Sequence, residues 1–256
     1  MAMTWTALCI GGLLAAPGAA AAQDILIDPG LAGNAYKLPV KKGPQWPFKI
    51  AKWRFGEFAV ASSKMGATTT TSNLPIFTFT DKRKGTNKFS FVLVNASNDS
   101  AQVRAEHLRR VMEGRSIASV NGWSVDADMP IEVSDQFSAS IVVAGDTTET
   151  WTLTRLLTDG SDVERTYEAI LTDGERTIVF EPASVRMADR KPLASPAYGY
   201  EFFEGEESIG AVQYQGGTFG QTYIVWLRKD LGAGTRLVLA AAMTALLQMT
   251  SNDAMP

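Results

Sequence analysis

Leu237-Val238-Leu239-Ala240-Ala241-Ala242-Met243-Thr244-Ala245-Leu246-Leu247-Gln248-Met249 contains only two polar side chains, Thr244 and Gln248. Leu, Ala and Met favour helix over strand. The apolar residues occupy every face rather than one stripe, so such a helix must be surrounded. At ~1.5 Å rise per residue the segment spans roughly 20 Å, short of the ~30 Å hydrocarbon core of a bilayer, so the surrounding expected is protein. An antiparallel sheet closed into a barrel supplies it. Eight strands are filled by their own side chains, so eleven or twelve are needed, as in cans with a central helix. Trp46 to Lys229 provides enough chain for that many strands of ordinary length. The fold expected is mainly β, a closed antiparallel barrel of about 12 strands around the C-terminal helix. It would form one domain over 46–250, with a tail at 251–256. The rival is an α+β sheet with the helix on one face.

Working back from the helix, Tyr198–Phe203, Ile209–Tyr214 and Thr222–Leu227 read as strands, separated by Gly205-Glu206-Glu207 and Gly216-Gly217. Leu157-Thr158-Asp159-Gly160 recurs as Leu171-Thr172-Asp173-Gly174, which predicts a meander with an Asp-Gly turn at each copy. Ile131-Glu132-Val133, Ser138–Val143 and Trp151–Thr154 add strands. Ile76–Thr80 and Phe89–Val94 flank Asp81-Lys82-Arg83-Lys84-Gly85, predicting a hairpin with a basic tip. Strand signals begin at Trp46, where Phe48, Ile50 and Lys52 alternate with Lys49 and Ala51, and continue through Phe55–Val60. Ser100–Glu113 reads as an additional short helix stopped by Gly114, with Val103, Leu108, Val111 and Met112 near one face. The period-2 alternative through Val103, Ala105, His107 and Val111 stays open.

Tyr200-Glu201-Phe202, Ile209-Gly210-Ala211-Val212, Phe219-Gly220, Tyr223-Ile224-Val225-Trp226-Leu227, Asp230-Leu231 and the alanine-rich run to Met249 are similar to the end of tubby-like domains. That group includes phospholipid scramblase-like proteins. The resemblance implies a closing helix threaded through a twelve-stranded barrel, and Phe55-Gly56-Glu57-Phe58 resembles its opening strands. Tubby proteins bind phosphoinositide headgroups through basic side chains, but no position here matches individually and none is carried over. The cysteine clusters that mark scramblase-like members for acylation have no counterpart, because Cys9 is the sole cysteine.

Met1–Ala22 carries no charged side chain and resembles a secretory signal peptide, with an Ala-x-Ala site before Gln23, although no Lys or Arg lies in Met1–Thr6. The rival, a membrane anchor, is opposed by Pro17 and Gly18 within the run. Cleavage would remove Cys9 and with it disulfide and thiolate chemistry. The protein is thus expected to be exported, periplasmic or secreted. Residues 23–45, rich in breakers such as Asp28-Pro29-Gly30, read as an extended leader rather than packed structure.

With 256 residues, 45% hydrophobic and 20% charged, the composition is globular, and a net charge of -3 offers no general basic field for nucleic acid. His107 is the only histidine, no GxSxG elbow occurs, and a His/Cys zinc site is impossible. Asp126-Ala127-Asp128 and Glu204 with Glu206-Glu207 could pair as acids or hold calcium, but neither has EF-hand spacing. Gly216-Gly217-x-x-Gly220 lacks the Lys-Ser/Thr of a phosphate loop. Asn95-Ala96-Ser97 and Asn98-Asp99-Ser100 fit the glycosylation triplet, which matters only on a eukaryotic secretory route.

The candidate ligand-binding residues are Lys82, Arg83, Lys84 and Lys88, since cations beside an anionic surface contribute about 1 kcal/mol each. A solvated turn that blocks edge aggregation uses the same residues. The function expected is non-catalytic binding of a lipid-like or anionic ligand, with a membrane surface or anionic lipid as partner and neither cofactor nor metal. The rivals are a carboxylate-dependent hydrolase and a structural or assembly subunit of the cell envelope.

Overall fold

The computed structural model describes residues 24–73, 80–120, 123–144, 150–160, 165–184, 196–216 and 222–253. The expectations for Met1–Ala22, Ile76–Phe79 and Gly217–Gly220 fall outside these residues. The C-terminal run lies in helix α2 (Ala233–Asp253), which extends four residues beyond it at each end. At 21 residues the helix is about 31 Å long, so length alone would let it cross a bilayer. Packing decides otherwise, because every apolar side chain from Leu237 to Met249 is buried against protein. The two polar residues of that run are hydrogen-bonded there. Thr244 Oγ1 donates to the Ala240 carbonyl (2.7 Å), and Gln248 Oε1 accepts from Ala51 N (3.1 Å) and Trp53 Nε1 (2.9 Å).

The wall around α2 is an antiparallel meander. Its long members are β6 (Thr80–Val94), β7 (Ser100–Val120), β8 (Trp123–Val143) and β9 (Thr150–Gly160). They are followed by β10 (Thr166–Thr172), β11 (Thr177–Ser184), β12 (Tyr198–Glu204), β13 (Glu207–Gln215) and β14 (Ile224–Arg228). Ahead of them come β1 (Ala35–Pro39), β2 (Lys41–Lys42), β3 (Trp53–Phe55), β4 (Phe58–Met65) and β5 (Thr69–Asn73). The hydrogen-bonded order is β1-β14-β13-β12-β11-β10-β9-β8-β7-β6-β4-β3-β2, a nearly closed barrel of 13 strands. β5 follows β4 along the same side of β6, pairing with residues 82–86 where β4 pairs with 89–94. Closure comes from one continuous segment: β1 pairs with β14, β2 pairs with β3, and Val40 between them donates to the Tyr223 carbonyl (3.0 Å). The seam is thus spanned by the chain itself, leaving neither terminal strand as a long open edge.

Alternation fills the interior. Phe89, Phe91 and Leu93 face Ala101, Val103 and Ala105, then Ala139 and Ile141, then Trp151 and Leu153, all buried around α2. Small residues give the helix room, and at Gly210 an added Cβ would lie 2.8 Å from Met243 Cε and 3.0 Å from the Trp226 carbonyl oxygen. The Asp173-Gly174 turn is present: Gly174 has φ +99°, and Asp173 Oδ1 accepts from Glu175 N and Arg176 N (2.9 and 2.7 Å). Its sequence copy differs, because Asp159 and Gly160 are the last residues of β9 and pair with Val133 and Glu132.

Four further expectations are corrected. Ser100–Glu113 is strand, not helix, because the period-2 face through Ala101, Val103, Ala105 and His107 is the buried one; Gly114 does not end it. Asp81–Gly85 is not a hairpin tip but the interior of β6, paired to β5 on one side and β7 on the other. Residues 46–52 form a loop before β3 rather than a strand.

Residues 24–45 are not an unpacked leader. Asp28 caps helix α1 (Pro29–Asn34), with Pro29 in its first turn, and Leu31 of α1 with Ile25 ahead of it packs on β13 and β14 against Ala211, Ile224 and Trp226. Ile25 N donates to Gln213 Oε1 (2.9 Å), while Asp28 N and Ser208 Oγ donate to Glu201 Oε1 (2.8 and 2.5 Å).

Leu31 is 1% exposed, so Leu31→Ala should lower stability by about 2–5 kcal/mol, read as a fall in the urea midpoint. An unchanged midpoint would mean that the leader does not pack.

Candidate functional site

Inward-facing rows of the wall change chemistry near the C-terminal end of α2. The row Phe89–Ala105–Ala139–Leu153–Leu171 is wholly apolar. The next row is Asn87–His107–Phe137–Arg155–Ala169, and the one beyond is Gly85–Arg109–Asp135–Leu157–Tyr167. Polar groups therefore enter the interior where the helix runs out, and Arg155 Nη1 reaches Met249 Sδ (3.7 Å) in the helix's last turns. A cation there complements the negative end of the helix dipole.

These groups form a buried network. His107, 4% exposed, places Nε2 2.7 Å from Asp135 Oδ1, and Arg155 Nη1 donates to the same oxygen (3.1 Å). Burial pushes the Asp135 carboxyl up, but the His107 hydrogen bond and the Arg155 charge outweigh it and hold it below the ordinary value. The carboxylate is therefore ionised and only accepts, so the imidazole N–H is the donor. Burial pushes the phenols of Tyr167, Tyr200 and Tyr214 up, against the pull of Arg155, and keeps them neutral.

Above the network lies a cleft of ≈ 660 Å³ between the inner face of β6–β7 and the loop 45–48. Its floor includes His107, Asn87 and Asn252, its wall Met65 and Arg109, and its rim Trp46 and Phe48. Those two aromatics are 61% and 74% exposed. Phe48 has φ +62°, a left-handed conformation that a bulky side chain adopts only under strain. The loop is held by Lys49 N donating to the Trp46 carbonyl (3.1 Å) and Met65 N to the Phe48 carbonyl (2.8 Å).

Of the residues singled out in the sequence, Lys84 and Lys88 are exposed on β6, and Lys88 pairs with Glu106 across to β7 (3.2 Å). Lys84 stands directly opposite Arg110, with Thr71 and Ser134 as the flanking register partners. Lys82 and Arg83 lie further along β6, opposite Met112 and Val111. Asp126 and Asp128 lie on β8, opposite Ile117 and Arg115. Glu204 and Glu207 are salt-bridged to Arg176 and Arg228. Among the described residues no group of three His, Cys, Asp or Glu could hold a metal. Asn95 uses both amide atoms on Asp99, so the first glycosylation triplet begins inside a loop-closing bond.

The cleft and the network were missed in the sequence. His107 was visible, but its partners lie 28 and 48 positions away and are brought to it only by strand register. Comparison with family models, curated proteins and solved structures gives no match to this chain.

Replacing Asp135 by Asn leaves Arg155 buried without its counter-charge and should cost about 3–5 kcal/mol at pH 7. Since the folded-state carboxyl value is depressed, the wild-type advantage is complete above about pH 4 and is lost as pH falls through the lower folded value. Urea unfolding of both proteins at pH 7 and pH 2.5 should show the gap closing in acid; a gap independent of pH would reject the pair.

Proposed function

We propose that this is a non-catalytic barrel protein that docks on an anionic, lipid-like surface through its open end, outside the cytoplasm as the Met1–Ala22 segment suggests. The observation that carries the reading is Trp46 and Phe48 held out at the mouth, Phe48 against its backbone preference. Strain of this kind costs of order 1–3 kcal/mol and persists where the surroundings impose it, often at functional positions. Exposed aromatics beside cations suit a membrane interface, where the ring enters the headgroup layer and the charge stays above it.

The cations are at hand. Arg109 lines the cleft, and Lys84 and Arg110 share the same end of the wall. Like charges directly opposite one another on a sheet are destabilising, so an anionic partner would relieve the Lys84–Arg110 pair. Lys82 and Arg83 continue that stretch of β6. Binding is favoured over hydrolysis because Asp135 is committed to the Arg155 charge as well as to His107.

Co-sedimentation with phosphatidylglycerol vesicles should exceed that with phosphatidylcholine vesicles and fall with salt. Trp46→Ser with Phe48→Asn should weaken it at least ~10-fold, as burying each ring contributes about 1.5–3 kcal/mol. Lys84→Ser and Arg110→Ser should each weaken it about 5-fold. Asn accepts the left-handed backbone at position 48, so stability should hold. Equal binding to both vesicle types by all variants would reject the reading.

A further inference from the structure

Arg109 is exposed in the lining of the cleft, which carries no carboxylate among the described residues. It forms no ion pair among those residues. Its register partner on β8 is Asp135, but that carboxylate already accepts from His107 and Arg155, and the Arg155 charge balances it. On β6 the partner of Arg109 is Gly85, which also lines the cleft. Glycine inside a strand weakens it, having no side chain to pack and more freedom to lose on folding, and often marks a close approach by a ligand. Neither its backbone nor its described neighbours demand glycine here: φ is not left-handed, and an added Cβ would meet no atom within 4 Å. At Gly210, by contrast, the missing Cβ makes room for Met243. Gly85 therefore leaves open space beside a guanidinium that has no counter-charge of its own.

We propose that the cleft binds a single-chain anionic amphiphile, with its oxyanion head on Arg109 beside Gly85 and its apolar chain against Trp46, Pro47, Phe48 and Met65. A guanidinium presents a planar fork of N–H donors, and a carboxylate or phosphate accepts from it through two parallel bonds. The apolar lining supplies the other half of the recognition: a chain seated there takes the exposed Trp46 and Phe48 rings out of water, and the flexible Met65 adapts to its shape. The cleft volume falls within the ~300–1,000 Å³ of small-molecule sites. The head is chemistry shared by a fatty acid and by a phosphate monoester of the lysophospholipid type. This ligand does not rest on vesicle docking, which needs the rim rings with Lys84 and Arg110, whereas the amphiphile needs the space inside the cleft.

The test is calorimetric titration of the whole protein with decanoate, decyl phosphate and decan-1-ol, each kept monomeric, beside sedimentation with phosphatidylglycerol vesicles. Saturable binding of decanoate identifies a carboxylate head, and saturable binding of decyl phosphate alone identifies a phosphate head. Either should exceed decan-1-ol by about 10-fold, the contribution of a hydrogen bond to a charged group. Arg109→Gln should bring the anions down to the affinity of the alcohol. Gly85→Val puts a side chain into the space beside Arg109 and should abolish binding of both anions. Valine suits a strand interior better than glycine, so the melting temperature should hold or rise, whereas a glycine required by packing would make it fall. Gly85→Ala serves as the milder variant if valine does not fold. Phosphatidylglycerol sedimentation should be unchanged by Gly85→Val. Binding of an anion without vesicle sedimentation would count against docking alone, and sedimentation without anion binding against this ligand alone. No binding of either anion, equally tight binding of the alcohol, or binding indifferent to both Gly85→Val and Arg109→Gln would overturn the proposal.

Discussion

A helix that is apolar around its whole circumference has to be enclosed, and the rest of the molecule follows from that enclosure. Strands about 4.8 Å apart and tilted by about 40° give a wall radius near 8 Å for eight strands and near 13 Å for thirteen. A helix with side chains is ~10–12 Å across, and inward-pointing wall residues need space as well, so only the larger ring can hold it. Ala101, Ala105, Ala139 and Gly210 on the wall, and the alanines of α2, tune that fit. The same requirement explains the seam. A barrel wide enough for the helix has to close somewhere, and here the segment Ala35–Lys42 pairs with both ends of the sheet, with Val40 at the crossing.

The site arises where this enclosure ends. At ~3.3 Å per residue against ~1.5 Å, β6, β7 and β8 reach further than the helix they surround, so beyond Met249 the wall continues without the helix's apolar filling. The chain places His107, Asp135 and Arg155 in that layer, tied to one another and to the last turns of α2. His107 joins this network to the cleft above, whose lining it shares. The apolar rows around the helix and the polar rows beyond it are thus neighbours in one sheet, separated by two residues along each strand.

The architecture was legible because its signals are local. The run Leu237–Met249 states its need for enclosure in thirteen residues, and β12 and β13 stand on either side of Gly205-Glu206. Ser100–Glu113 was ambiguous because Val103 and Val111 satisfy both periods; only burial of Ala101, Ala105 and His107 between β6 and β8 decides for strand. Lys82, Arg83 and Lys84 looked like a turn because charge runs usually sit in solvent, yet a long strand also carries exposed cations, as Lys84 does on β6. The packed leader had a readable start, Asp28 before Pro29, but not a readable destination on β13 and β14. The site lay furthest from view, since His107, Asp135 and Arg155 meet only through the register of three strands.

Two local choices at the mouth run against stability, and together they bear on whether this end is selected for folding or for contact. At position 48 the left-handed backbone would suit Gly or Asn, which would also remove an exposed ring, yet the residue is Phe. On the outer face Lys84 and Arg110 are set directly opposite each other, although a carboxylate at either place would pair the strands better. Neither choice is needed to enclose the helix, because both lie beyond the rows that touch it. A sequence shaped only by the barrel would be expected to lose them one substitution at a time. Phe48 lines the cleft and the Lys84–Arg110 pair lies on the wall beside it, both at the end of the barrel where the helix stops.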